Sequence, residues 1–239
     1  MKVEIWSDVV CPWCYIGKRR FEKALAEFAH RDDVEIEWKA FELDPSAVSG
    51  ARHEGDYAGR LARKYGMDVE QARQMLDSMT ATAAAEGLDF HFERAVRANT
   101  VDAHQVIHLA GLRGVQDAVK ERLLRGYFTE GEAVADRETL VRLAAEAGLD
   151  ASEVRSALEG QSYLPNVRED QREAQAFGIS GVPFFVIDRK YGVSGAQPPA
   201  ALLEVLEQAW AESHPVPTLL TVGGDASNGD ACGPDGCPV

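Results

Sequence analysis

Strand character in this chain is confined to two stretches separated by a long helical block, and that pattern limits the folds open to it. Residues 3–7 and 34–38 each alternate apolar and polar side chains and read as short strands. Strand character returns at residues 182–187, with a short segment at 191–195 placed to pair as a hairpin. From about Asp56 to Phe177 the chain is instead rich in Ala, Leu, Glu and Arg, all good helix formers. This block predicts helices over 56–65, 68–86, 100–112, 114–128, 137–147, 150–159 and 164–177. Asp68 with Gln71, and Asp150 with Glu153, have capping-box spacing, and Gly148 and Gly160 stand where helices would stop. One sheet split by a helical insertion accounts for the layout with the fewest assumptions. The expected division is 1–50 for the first part of an α/β unit, 51–165 for the insertion and 166–215 for the second part. The second part closes with an amphipathic helix over 198–213. Residues 216–239 are rich in Gly, Asp, Ser and Asn and read as a flexible tail.

Between the first two strands the pattern from Pro12 to His30 is helical, and Pro12 suits a first turn, where its missing N–H costs nothing. A strand, a helix and a strand in this order form a parallel pair with a crossover. At the head of that helix stands Cys11-Pro12-Trp13-Cys14. Such a spacing is half a zinc site, a redox pair or chance. The strand before it and the helix after it favour the redox pair. The thiolate is the nucleophile in disulfide exchange, and unsatisfied N–H groups at a helix N-terminus stabilise an anion. Cys11 is therefore expected to be the more exposed, attacking thiol, and Cys14, one turn on, to resolve the mixed disulfide. Pro12 stiffens the turn, and Trp13 offers a flat apolar surface that can hold a substrate or shield the pair.

The chain has a formal net charge of −14 and 45% hydrophobic residues. An acidic surface argues against nucleic acid or anionic membrane as partner. No apolar run is long enough for a transmembrane helix, and the N-terminus lacks the apolar segment and cleavage site of a secretory signal. A cytoplasmic location is expected, where cysteines are more often catalytic or metal-binding than structural. The four cysteines fall in two close pairs.

Gly181-Val182-Pro183 opens a strand, and proline there calls for a reason. A cis Val182–Pro183 bond is one, and an ordinary strand-leading proline is the other. The stretch from Ser7 to Gly17 resembles the active site of the DsbA-like branch of the thioredoxin superfamily. Gly181-Val182-Pro183-Phe184-Phe185 resembles that branch's cis-proline loop, and Asn99-Thr100-Val101-Asp102-Ala103-His104 a segment of its helical domain. The chain also resembles the FrnE-like dithiol–disulfide isomerases, cytoplasmic proteins also linked by resemblance to polyketide biosynthesis. The resemblance implies a thioredoxin fold with a large all-helical domain inserted between its N-terminal βαβ and C-terminal ββα parts. It implies that Val182 and Pro183 dock the substrate backbone beside Cys11, and that Asn99 and His104 face the active-site groove. It implies thiol–disulfide oxidoreductase or isomerase activity on a disulfide-containing protein or small molecule. No cofactor or metal is expected beyond the redox-active disulfide, with glutathione a candidate co-substrate. Trp13 stands where the best-known DsbA enzymes carry histidine, and no secretory signal is read, so a periplasmic oxidant's role does not carry over. Reductase or isomerase work fits a reducing cytosol better.

Cys232 and Cys237, in the tail, are an auxiliary redox pair able to exchange with Cys11–Cys14, a pair with no specific task, or, with Cys11 and Cys14, a four-thiolate zinc site. His104 and His108 share a helix face but have no obvious acidic partner, which favours ordinary helix histidines over metal ligands. The tail's acidic residues do not fit EF-hand spacing. Two rival readings remain. One is a glutathione-dependent isomerase or transferase of the hydroxychromene-carboxylate isomerase type, whose members typically carry serine in place of Cys11. The other is a non-enzymatic binding or chaperone module with idle thiols.

Overall fold

The strands assemble into one mixed sheet in the order β2-β1-β3-β4: β1 Lys2–Ser7, β2 Glu35–Ala40, β3 Phe184–Ile187 and β4 Tyr191–Ser194. The computed structural model describes residues 1–47 and 57–215. β1 pairs with β2 in parallel, Ile5 opposite Trp38, and with β3 antiparallel, Ile5 opposite Phe185. β3 and β4 form the hairpin expected from their spacing. Ile5, Trp38 and Phe185 are buried in the main core, so the strand termini that precede the site are fixed by burial on the central strands.

Helix α1, Pro12–Glu27, joins β1 to β2 with Pro12 in its first turn. The helical block follows β2, with α2 Tyr57–Tyr65, α3 Val69–Ala85, α4 Val101–Leu112 and α5 Gln116–Arg125. Then come α6 Arg137–Glu146, α7 Ala151–Glu159 and α8 Leu164–Ala176. After β4, α9 spans Pro199–Ser213 and packs on α1. Local chemistry sets several of these ends. Asp68 and Gln71 form a reciprocal capping box on α3, and Asp150 caps α7 by accepting the Glu153 N–H. The helix expected over 114–128 instead ends at Arg125 and continues as one π-helical turn, Gly126–Glu130. A position at 165 falls within the first turn of α8, so no break in structure separates 165 from 166.

The sheet and the helical block share one apolar core. Val3, Ile16 and Phe21 belong to the same cluster as Leu109, Leu124, Leu143 and Leu158. That continuity fixes the helical block against the sheet unit over the start of α1.

A buried carboxylate ties α8 and α4 to the sheet. Asp170 on α8 accepts from the Ala40 N–H (2.7 Å) and from His108 Nε2 (2.8 Å), and pairs with Lys39 Nζ (2.7 Å). Its backbone carbonyl accepts from the Trp6 indole (2.9 Å). His108 thus has an acidic partner after all, in a structural network. Tyr15 and Trp38 lie in the core, and Phe41 packs against the satellite cluster around Trp6.

Candidate active site

Cys11 is the N-cap of α1, in extended conformation (φ −94°, ψ 113°), and Cys14 lies one turn inside. Both thiols are free. Cys11 is 4% exposed and Cys14 0%, so the expectation of an openly exposed Cys11 is corrected to a slight difference between two buried sulfurs. Only Cys11 borders the cleft above the pair, a space of about 850 Å³ also bordered by Pro12, Trp13, Gly181 and Val182.

The Val182–Pro183 bond is cis, and Cys11 Sγ donates to the Val182 carbonyl at 3.5 Å. The loop sits close because α1 carries glycine at position 17. A Cβ there would stand 2.8 Å from Pro183 Cγ and 3.5 Å from Ala196 Cβ. Gly17→Ala is therefore expected to displace this loop from Cys11, at about 1–3 kcal/mol of overpacking. Urea unfolding would show the loss, and a variant as stable as the parent would mean that the loop shifts without strain.

Behind the sulfurs lies a buried charged group. Asp8, 1% exposed, accepts from the Leu43 N–H (2.9 Å), and its other oxygen stands 3.5 Å from His104 Nε2. Neither atom of that last pair has a hydrogen-bond partner. Burial pushes the Asp8 carboxyl up, but His104, the Leu43 N–H and the Lys120 charge bring it below its ordinary value. Lys120 on α5 is 1% exposed, with Nζ 5.5 Å from the Trp38 ring centroid. Burial lowers its pKa to about 8, and the charges that oppose this lowering are those of Cys14, Asp8 and Cys11.

These neighbours decide where the pair's charge resides. The hydrogen bond shared with Cys14, then burial, hold the Cys11 thiol well above its ordinary value. Burial also raises Cys14. The Cys11 S–H, the Lys120 ammonium, the Ser7 hydroxyl and the Asp8 N–H outweigh it and hold Cys14 below the ordinary thiol range. Of the two thiols Cys14 is thus the one held low and Cys11 the one held high, and Lys120, from the helical block, contributes to that order after Cys11 itself. With Lys120 changed to Met, the Cys14 thiol is expected to titrate higher than in the parent. Thiolate absorbance followed against pH measures this. An unchanged titration would remove Lys120 from the site. Because an ammonium is costly to bury, the variant is expected to unfold no more easily than the parent.

His104 does not face the groove. At 1% exposed it lies beneath the floor against Asp8, because its position on α4 points into the packed core. Asn99 donates to the Pro45 carbonyl (3.1 Å) and accepts from the Val101 N–H (3.1 Å), and its neighbours Ala98 and Thr100 border the cleft. Cys232 and Cys237 lie outside the described residues. Asp8 and Lys120 were not singled out from the sequence. A lysine set among Val119, Leu123 and Leu124 on the buried face of α5 was the available signal for Lys120.

The DSBA-like thioredoxin domain family model matches residues 2–207. A probable DsbA oxidoreductase from Streptomyces coelicolor is 47% identical, with a TM-score of 0.84 over 100% of this chain and 99% of that one. Two more distant structures share the fold. The cytosolic disulfide reductase DsbM from Pseudomonas aeruginosa, solved with GSH, is 19% identical, with a TM-score of 0.60 over 87% of this chain and 98% of that one. A 2-hydroxychromene-2-carboxylate isomerase is 17% identical, with a TM-score of 0.63 over 89% of this chain and 98% of that one. The matched residues run from the first strand into the last helix, and the chain belongs to the DSBA-like thioredoxin domain family.

Proposed function

We propose that the chain reduces or isomerises disulfides through Cys11 and Cys14. The observation that carries this is the pair of free thiols at the head of α1, with Cys11 at the cleft and Cys14 one turn behind it. A substrate disulfide enters beside Trp13 and Val182. In the reactive form Cys14 is the thiolate, and the Cys11 proton passes to it, leaving a Cys11 thiolate that its own helix end supports. Cys11 attacks one substrate sulfur, and the substrate S–S bond breaks. The first leaving thiolate takes the proton now on Cys14. The Cys14 thiolate, supported by Lys120, then attacks the Cys11 sulfur and expels the second substrate thiolate. Two electrons pass from the dithiol to the substrate, and a Cys11–Cys14 disulfide remains. Run backwards, the same steps oxidise a dithiol. Alternating the first step with its reversal isomerises.

Val182 borders the cleft beside Cys11 and Pro183, next to it in the loop, is buried; the two are proposed to dock the substrate chain, as the family resemblance implies. Among the described residues no helix is long and apolar enough to cross a membrane. A cytoplasmic reductase or isomerase with glutathione as co-substrate is the reading in keeping with these features.

The test is to trap the intermediate. With Cys14 changed to Ser the second step has no nucleophile, so a mixed disulfide with a substrate such as insulin is expected to accumulate on Cys11. Mass spectrometry of the non-reduced protein locates the adduct. If the parent reduces insulin but no Cys11 adduct forms in the variant, the order of attack is wrong. If the parent reduces no disulfide, the reading itself is wrong.

A further inference from the structure

The cleft above Cys11 has a wall that the exchange chemistry does not use. Arg60, Arg63 and Lys64 on α2 all border it. Their spacing, three and four residues apart, puts them on one face of the helix. The other face carries Ala58 and Ala62, buried against Ala72 of α3. α2 is thus anchored by its small residues and turns its cations toward the cleft, in a chain whose formal net charge is −14. Among the described residues, the acids on the same lining, Asp8 and Asp44, are already engaged. Asp8 lies in the floor, 1% exposed, and Asp44 pairs with Arg97 (3.4 Å).

The cleft also gathers exposed apolar surface. Trp13, Leu43, Tyr65 and Met75 are among the exposed large hydrophobic side chains of the described residues, and all four border it. Cations beside exposed apolar side chains, over a buried thiol, favour a ligand with anionic groups on an apolar body. A space of about 850 Å³ is the size of a small-molecule site.

We propose that α2 makes this cleft selective for small disulfides that carry carboxylates on an apolar, aromatic body. Arg63 and Lys64 attract the carboxylates, and Tyr65 and Trp13 flank the rings. This rests on the dithiol reading of Cys11 and Cys14. Exposed charges act here through water, so their effect is moderate and screened by salt.

The test uses the reduced full-length chain and two aromatic disulfides that release coloured thiols. Dithiobis-nitrobenzoate is a dicarboxylate, and dithiodipyridine is neutral. The second-order rate is measured with each, in the parent and in Arg63→Gln/Lys64→Gln. Comparing the two reagents within each protein cancels changes in thiol reactivity. The ratio of anionic to neutral rate is expected to fall about 10-fold in the double variant, and the parent's ratio is expected to fall as salt is raised. Tyr65→Ser is expected to slow both reagents alike. An unchanged ratio in the double variant would overturn the selectivity while leaving the dithiol chemistry standing. If dithiodipyridine did not react with the parent at Cys11, the dithiol reading would fall first and take the selectivity with it.

Discussion

Changing Cys11 to Ser is expected to lower disulfide reduction by roughly 1,000-fold or more, the scale on which removal of a nucleophile acts. A serine hydroxyl is not ionised near neutral pH and cannot form a disulfide, so neither half of the exchange survives. The fold is not expected to suffer. Cys11 makes one weak contact to the Val182 carbonyl at 3.5 Å, and serine is slightly smaller. Insulin reduction and urea unfolding, measured together, separate these outcomes. Activity that survives at more than a tenth of the parent's, in a variant that unfolds like the parent, would put the chemistry elsewhere. A parent that reduced no disulfide at all would instead revive the reading of a binding module with idle thiols.

What was legible in the sequence was local. The period-two strands at 3–7 and 34–38, the hairpin at 182–187 and 191–195, and the cap formed by Asp68 and Gln71 each depend on neighbours within a few residues. Cys-Pro-Trp-Cys at the head of a helix is local too, which is why its placement could be read without coordinates. The ionisation of that pair was not legible, because it is set from a distance. Lys120 reaches the site from α5 and helps to hold the Cys14 thiol below its ordinary value, and nothing near Cys11 announces it. His104 failed for a related reason. Helical spacing places it on a face with His108, but only packing decides that this face meets Asp8 and Asp170 below the cleft. The cations of α2 are spaced as a solvated helix face would be. Only the fold shows that this face borders the thiol.

The same long-range logic makes Asp170→Ala the substitution expected to destabilise the chain most, by about 3–5 kcal/mol. Asp170 on α8 ties together β1, β2 and α4 through Trp6, Ala40, Lys39 and His108. Removing its carboxylate leaves the Ala40 N–H and His108 without that acceptor, and Lys39 without its partner at 2.7 Å. Lys39 keeps Glu173 at 2.9 Å, which limits the loss but does not restore the buried acceptor. The pH dependence has a definite sign. Burial raises the Asp170 carboxyl, and His108, the Ala40 N–H and Lys39 bring it below its ordinary value near 3.8. A carboxyl lowered by folding contributes stability that is complete above its unfolded value and is lost as pH falls through the folded one. The parent should therefore lose stability below about pH 4 more steeply than the variant, and the gap between them should narrow in acid. Urea unfolding at neutral pH and at successively lower pH measures both quantities. A loss below 1 kcal/mol at neutral pH would mean that Lys39 and Glu173 hold β2 to α8 by themselves. A gap that widened in acid would mean that Asp170 is not the ionised centre of the network. Replacing Lys39 and Asp170 together by Met and Leu is expected to recover part of the loss, because an apolar pair removes the stranded charge as well as the bond.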